Sequence, residues 1–206
     1  MNSQQIKEIL LSEIHEVSIN YEKYCNDPKR DFSRKRKLPF ELMLKNIIGM
    51  GSKSITNELI DIFQASGEMP SASAFVQQRT KIKPEALKAV FDGFMSRILA
   101  SADKMRILAV DGSDIQIETN PKDKMSHIST SIDKKSFNLL HLNALYDLEE
   151  HVYTDAIIQA AKSQNEHGAL NEMVDRSEIP KALVIADRGY ESVSYTHLTL
   201  PTILLV

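Results

Sequence analysis

Two short apolar runs in this chain each end in an aspartate. The first is Ile107-Leu108-Ala109-Val110-Asp111, followed by Gly112-Ser113. The second is Ala182-Leu183-Val184-Ile185-Ala186-Asp187, followed by Arg188-Gly189-Tyr190. Unbroken aliphatic runs of this length mark strands buried in a sheet. A carboxylate ending such a strand is delivered to the sheet rim, and two such strands side by side bring both carboxylates to one edge. The first strand is expected over residues 106–112, with Ile115 and Ile117 extending its alternation past a Gly-Ser break. Residues 121–135 are polar and loop-like. Residues 137–146 and 151–158 are strand-like around Asp147-Leu148-Glu149-Glu150, which reads as a hairpin turn. A helix over 168–177, closed by Pro180, precedes the strand 182–186. This order of strand, hairpin, helix and strand departs from the β-α-β alternation of a Rossmann fold, and no Gly-rich fingerprint is present. It matches the opening of an RNase H-like fold.

The first hundred residues carry a different period. Ile6, Leu10, Ile14, Val17, Tyr21 and Tyr24 recur at helical spacing and define one amphipathic stripe, ended by Asn26-Asp27-Pro28. Pro39 suits the first turn of a second helix running to about Met50. A third helix is expected from Ser54 to about Gly67 and a short one over 73–79. A fifth follows Lys83-Pro84 with Leu87, Val90, Phe91, Phe94 and Ile98 on its inner face. The helical module ends near Ala102.

Composition narrows the function classes. With 42% apolar residues in 206, the chain reads as soluble and globular. A net charge of -3 is no nucleic-acid signature, so any such contact must rest on local clusters. No run is long enough to span a bilayer and no signal-peptide pattern opens the chain. The single Cys25 excludes an internal disulfide and fits a reducing cytoplasm.

Asp111 and Asp187 offer hard anionic oxygens of the kind that hold two divalent ions about 3.5–4 Å apart for phosphoryl transfer. Such donors select Mg2+ or Mn2+. The competing reading makes both segments strand-end turns, since Asp-Gly pairs favour turns. His127, His141, His151 and His167 show no paired metal-ligand spacing and are expected at the surface or in the hairpin. Asp147, Glu149 and Glu150 are expected at a solvated tip. Asp114, close to Asp111, is expected to face solvent, with a supporting partner behind Asp111 as the alternative. The densest charge cluster is Lys29-Arg30-Asp31-Phe32-Ser33-Arg34-Lys35-Arg36-Lys37, which suits phosphate contacts or a solvated linker. Gln77, Gln78, Arg79, Lys81 and Lys83 lie around a tight turn in residues 71–99, a helix-turn-helix pattern whose amides suit base edges.

Taken together, Ser33-Arg34-Lys35-Arg36-Lys37-Leu38-Pro39-Phe40, Ser73-Ala74-Phe75-Val76-Gln77-Gln78-Arg79, Val110-Asp111-Gly112-Ser113 and Ala186-Asp187-Arg188-Gly189-Tyr190-Glu191-Ser192 resemble a known family. It is the DDE-type transposases of bacterial insertion sequences, in the group with a β-rich insertion (the fourth insertion-sequence family). The resemblance runs from Met1 to Ser192 in one order. It implies an α+β chain with a helical DNA-binding region over 1–102 and the first part of an RNase H-like mixed-sheet domain over 103–192. It implies that Asp111 and Asp187 are the first and second aspartates around two Mg2+ (or Mn2+) ions. Arg34, Lys35, Arg36, Lys37, Gln77, Gln78 and Arg79 become DNA contacts, and Arg188 a phosphate contact. The implied reaction is cleavage at transposon ends by activated water, then attack of the freed 3′-hydroxyl on target DNA. The implied partners are double-stranded DNA, as terminal repeats and as target, and a second copy in a synaptic homodimer. The implied location is a bacterial cytoplasm, with the nucleoid and without membrane.

The family's third ligand, a glutamate, belongs far downstream in a helix with a Tyr-Arg-Glu-Lys signature. Glu191 belongs to the second aspartate's own motif and does not replace it. The expectation is therefore a fragment whose site binds metal poorly and turns over slowly or not at all, with sheet edges left bare. Residues 193–202, back-translated as GTC TCT TAT ACA CAT CTG ACG CTG CCG ACG, match a sequencing-library adapter at every codon, so 193–206 is set aside as a scar. Three rivals stand beside the transposase reading. They are a DNA-binding relic that inhibits intact relatives, an RNase H-like metal-dependent nuclease, and an α/β domain unrelated to DNA.

Overall fold

The structure, a computed structural model, describes residues 2–34, 37–64, 66, 69–99, 105–129, 135–177, 179–187, 190 and 202–205. It divides into two compact units, Met1–Ser101 and Ala102–Val206.

The first unit holds helices α1 (Ser3–Ile19), α2 (Phe40–Gly49), α3 (Ile55–Phe63), α4 (Ala72–Arg79) and α5 (Glu85–Leu99), with a 3₁₀ turn at Tyr21–Tyr24. Local chemistry sets the starts. Asn2 and Gln5 cap each other's backbone amides in a capping box, and Ser54 and Ser71 accept from the amides of Asn57 and Ala74. The α1 stripe buries only its second half: Ile14 and Val17 are enclosed with Phe40, Leu44, Ala86 and Val90, whereas Ile6 is exposed. On α5 the inner face is Ala86, Val90, Met95 and Ile98, and Phe91 and Phe94 are half-buried.

The second unit is a mixed sheet with one face covered. Its elements are β1 (Arg106–Ile117), β2 (His127–Ile128), β3 (Phe137–Asp147), β4 (Val152–Ala160), α6 (Glu166–Asp175), β5 (Ala182–Ala186) and β6 (Thr202–Leu205). β3 pairs antiparallel with β1, with β4 and, at its start, with β2. β5 joins β1 in parallel after the α6 crossover, and β6 joins β5 in parallel. An antiparallel meander whose first strand then gains a parallel neighbour is the RNase H-like arrangement, and the chain is α+β. Leu108, Val110, Leu145, Val184 and Ala186 meet Leu170, Met173 and Val174 of α6 in one core.

Three features depart from the sequence reading. β1 runs through Gly112-Ser113 without a break, from Leu108 opposite Asp147 to Ile117 opposite Asn138. The continuous ladder with β3 overrides the local turn preference of Asp-Gly, as sheet context commonly does. Residues 121–126 form the expected loop, but His127–Ile128 makes the short strand β2, and the segment closes on the buried Asn138. Its Nδ2 donates to Ser126 Oγ at 2.7 Å, and its Oδ1 accepts from the Asn120 amide at 2.8 Å. That buried amide thereby meets its hydrogen-bonding requirement. The edge of β5 expected to be bare is paired: Thr202–Leu205 runs beside it from Leu183 opposite Thr202 to Ala186 opposite Leu205. An open strand edge is a template for an apolar run such as Ile203-Leu204-Leu205.

Candidate metal centre and nucleic-acid interface

The register that joins β1 to β5 places the two aspartates together. Arg106 pairs with Ala182 and Ala109 with Ile185, an offset of 76 residues, and the same 76 separate Asp111 from Asp187. The pairing itself ends at Ala109 and Ile185, where adjacent strands lie about 4.8 Å apart, and each aspartate follows two residues later. Burial fixes the direction of the side chains. Leu108, Val110, Val184 and Ala186 are buried under α6, Ile107, Ala109, Leu183 and Ile185 are half-buried on the other face, and Asp111 and Asp187 are exposed. Period-two alternation puts both carboxylates on the face away from α6. Asp187 follows the last residue of β5, whereas Asp111 sits mid-strand opposite Ala144, where β1 keeps β3 and loses its parallel neighbour.

That open face is apolar. Leu140, Leu142, Ala144 and Tyr146 are half-buried on it, and Tyr153 and Ile158 are exposed at 57% and 62%. Among the described residues of this unit, the helix present, α6, lies on the opposite side. Hard carboxylate oxygens suit divalent Mg2+ or Mn2+. Asp111 and Asp187 supply two such groups, and among the described residues no set of three His, Cys, Asp or Glu side chains converges on a metal position.

On the α6 side lies a polar layer that sequence reasoning missed. His141, expected at the surface, is buried at 6% exposure on β3. Its Nδ1 lies 2.9 Å from Asp114 Oδ1 and its Nε2 3.2 Å from Glu166 Oε1, the latter out of line for a hydrogen bond. Asp114 is exposed, as expected, and also contacts the ring. Tyr190, also buried, donates its hydroxyl to Asn143 Oδ1 at 2.9 Å, and its amide donates to Asp187 O at 3.2 Å. Asn143 is opposite Gly112 in the ladder. The available signal was the alternation of His141 and Asn143 with Leu140, Leu142 and Ala144, which puts two polar residues on the core face of a central strand.

Of the other three histidines singled out in the sequence, two have polar partners and one sits at the hairpin. His127 Nδ1 lies 3.0 Å from Asn138 Oδ1, His167 contacts Asn171, and His151 turns the hairpin with φ 57°. Asp147, expected at a solvated tip, is fully buried, and Arg106 Nη1 donates to its Oδ2 at 2.7 Å. Burial pushes its carboxyl up, but the Glu150 amide, the Arg106 guanidinium and the Glu149 amide outweigh that and hold it below the usual range.

In the helical unit the basic run is anchored. Phe32, at φ 55°, packs edge-on against Phe40 with centroids 5.2 Å apart, and Leu38 is buried. Lys29, Arg30 and Arg34 line a cavity of about 610 Å³ with Asp27, Asp31, Gln78 and Lys81. Lys37 lines an adjoining one of about 510 Å³ with Gln77, Gln78 and Lys81. The structure thus brings the basic run and α4 together. Gln78 is buried and accepts from Lys81 Nζ at 2.5 Å, fixing that lysine, while Gln77 and Arg79 are exposed. α4 and α5 flank the turn, and α5 gives its apolar stripe to the core. Lys35, Arg36 and Arg188 lie outside the described residues.

Residues 102–197, just under half of the chain, match the family model described as a transposase DDE domain. No curated protein matches the sequence. Among solved structures, the chain is similar to the piggyBac transposase synaptic complex with hairpin DNA, with TM-score 0.47 and 10% identity over 99% of this chain and 48% of that one. It is also similar to the Drosophila P element transposase strand transfer complex, with TM-score 0.42 and 13% identity over 97% and 43%. The chain therefore spans about half the length of the solved structures it resembles. Among the described residues no helix is long and apolar enough to cross a membrane.

Proposed function

We propose that this chain is part of a DNA transposase of the DDE type, with Asp111 and Asp187 as metal-holding carboxylates and the helical unit as its DNA-binding region. The observation that carries the reading is that both aspartates follow, by two residues each, the last pair of the parallel β1–β5 ladder, and that both are exposed. The match of residues 102–197 to the transposase DDE domain supports it.

Asp111 and Asp187 would hold Mg2+ or Mn2+, which when bound supplies activation of the attacking oxygen and charge stabilisation at the leaving one. The protein's own part is positional. Two parallel strands present both carboxylates on one side, and the apolar face beside them keeps competing polar groups away. Lys29, Arg30, Arg34, Lys37 and Lys81 line two cavities, the first shared with Asp27 and Asp31, and each contact these cations made to a phosphate would release counterions. Gln77 is exposed at the same groove and is suited to a base edge. The substrates would be transposon ends and target duplex in a bacterial cytoplasm, brought together by a synaptic pair of copies.

A second reading is a DNA-binding protein without turnover. It is favoured by one observation: among the described residues, no third metal-binding side chain joins the two aspartates. The experiment is retardation of duplexes with and without element ends across a salt series, with Mg2+-dependent nicking scored on the same DNA. Salt-sensitive retardation with nicking at ends supports the transposase reading, and retardation without nicking supports the binder. Cutting of duplexes lacking ends would instead indicate a nuclease. Absence of retardation at any salt would contradict DNA binding altogether.

A further inference from the structure

We infer that β3 carries the positioning residues of the aspartate pair: His141 sets Asp111 through Gly112, and Asn143 sets Asp187 through Tyr190. The inference rests on the proposed role of Asp111 and Asp187.

The first arm begins at Gly112. Its backbone needs no special conformation, since its φ is not positive. What it needs is space. A Cβ there would stand 2.7 Å from His141 Nε2, 2.9 Å from His141 Cε1 and 2.8 Å from Glu166 Oε1. The imidazole and the Glu166 carboxylate therefore close directly over the glycine. The ring is held from its other side by Asp114, its cross-strand neighbour in the ladder. Glu166 is fixed by its place in the first turn of α6, where Asn165 caps the Gly168 amide at 2.9 Å. Gly112 in turn donates its amide to Asp111 Oδ1 at 2.9 Å. Whatever fixes the Gly112 peptide fixes that carboxylate oxygen.

The second arm ends at Asp187. Its carbonyl accepts the Tyr190 amide, closing a turn, and the Tyr190 hydroxyl reaches down to Asn143. Asn143 Nδ2 donates to Gln159 Oε1 at 3.4 Å, and the same oxygen accepts the Asn165 amide at 2.8 Å. Both arms thus end at the start of α6. Close packing at Gly112 and the buried Tyr190–Asn143 hydrogen bond restrain what they support, and partners behind a metal ligand set its orientation.

The test uses the full chain and Mn2+ alone, titrated by electron paramagnetic resonance. The Gly112 amide is followed by NMR without metal, and unfolding midpoints are recorded alongside. His141→Leu should displace the Gly112 amide resonance, and His141→Leu and Tyr190→Phe should each weaken Mn2+ binding by about 10- to 100-fold. His141→Gln, which keeps a donor toward Asp114, should recover part of both effects. If His141→Leu does not fold, Glu166→Gln, whose side chain is partly exposed, carries the same test. Lowered midpoints with wild-type Mn2+ affinity and an unmoved Gly112 amide would overturn the inference, leaving only a structural role. Asp111→Asn and Asp187→Asn are the controls. If they leave Mn2+ binding intact, the site reading itself fails and the positioning role fails with it. If they abolish binding while His141→Leu and Tyr190→Phe do not, only the positioning role fails.

Discussion

Asp111 and Asp187 each stand two residues beyond the last parallel pair of β1 and β5, Ala109 with Ile185, and are separated by the same 76 residues that pair Arg106 with Ala182. Strand pairing with a period-two pleat leaves no freedom here: a slip of one residue would turn one carboxylate into the α6 core. The aspartates are therefore tied to each other by the register of the buried residues that precede them. Arg106, Leu108, Val110, Ala182, Val184 and Ala186 fix that register by packing.

Gly112→Ala should destabilise the second unit by about 1–3 kcal/mol, as overpacking does, because His141 and Glu166 have to give way. Urea unfolding with an unchanged slope checks this. Wild-type stability would mean that the ring moves aside freely.

The Arg106–Asp147 pair is enclosed, at 2% and 0% side-chain exposure. Arg106→Met should cost about 3–5 kcal/mol by stranding Asp147, and much of that should return when Asp147→Leu is added. A double-variant cycle in urea measures it.

Acid should act through the same carboxylate. The folded-state value of Asp147 lies below its ordinary 3.8, so its stabilising contribution is complete above about pH 4 and is lost as pH falls through the folded value. Midpoints followed downward from neutral pH should drop in that window, and Asp147→Asn should flatten the drop.

Arg34→Ala and Lys81→Ala should each reduce the slope of log affinity against log salt by about 1 on any duplex, with little change in sequence preference. Gln77→Ala should leave the slope unchanged and alter preference. Band-shift titrations across salt separate the two.

Cys25 is fully buried, and burial first, then the nearby Asp31, pushes its thiol up to about 11. It should resist alkylation in the native state and react on unfolding, which gives a mass-spectrometric probe of the helical unit.

The sheet was legible where pattern and packing agree. The runs before Asp111 and Asp187 read as strands because they are buried and aliphatic, and Asp147-Leu148-Glu149-Glu150 read as a turn from its polarity. The continuation of β1 through Gly112-Ser113 was not legible, because the ladder with β3 that overrides the turn signal is a non-local contact. His141 and Asn143 hid for a related reason: single polar residues in a strand look like its solvent face until the opposite strand shows which face is the core. The joining of Arg34 and Lys37 to Gln77 and Gln78 depends on Leu38 being buried and Phe32 packing half-buried against Phe40, which no charge count reveals.

The central claim is that Asp111 and Asp187 hold a divalent ion jointly. Mn2+ titration of the chain and of Asp111→Asn and Asp187→Asn, with duplex retardation measured in parallel, tests it most directly. The account predicts that either substitution removes the bound-Mn2+ signal and leaves retardation unchanged. Mn2+ binding that survives in both single variants at the affinity of the unaltered chain would contradict it.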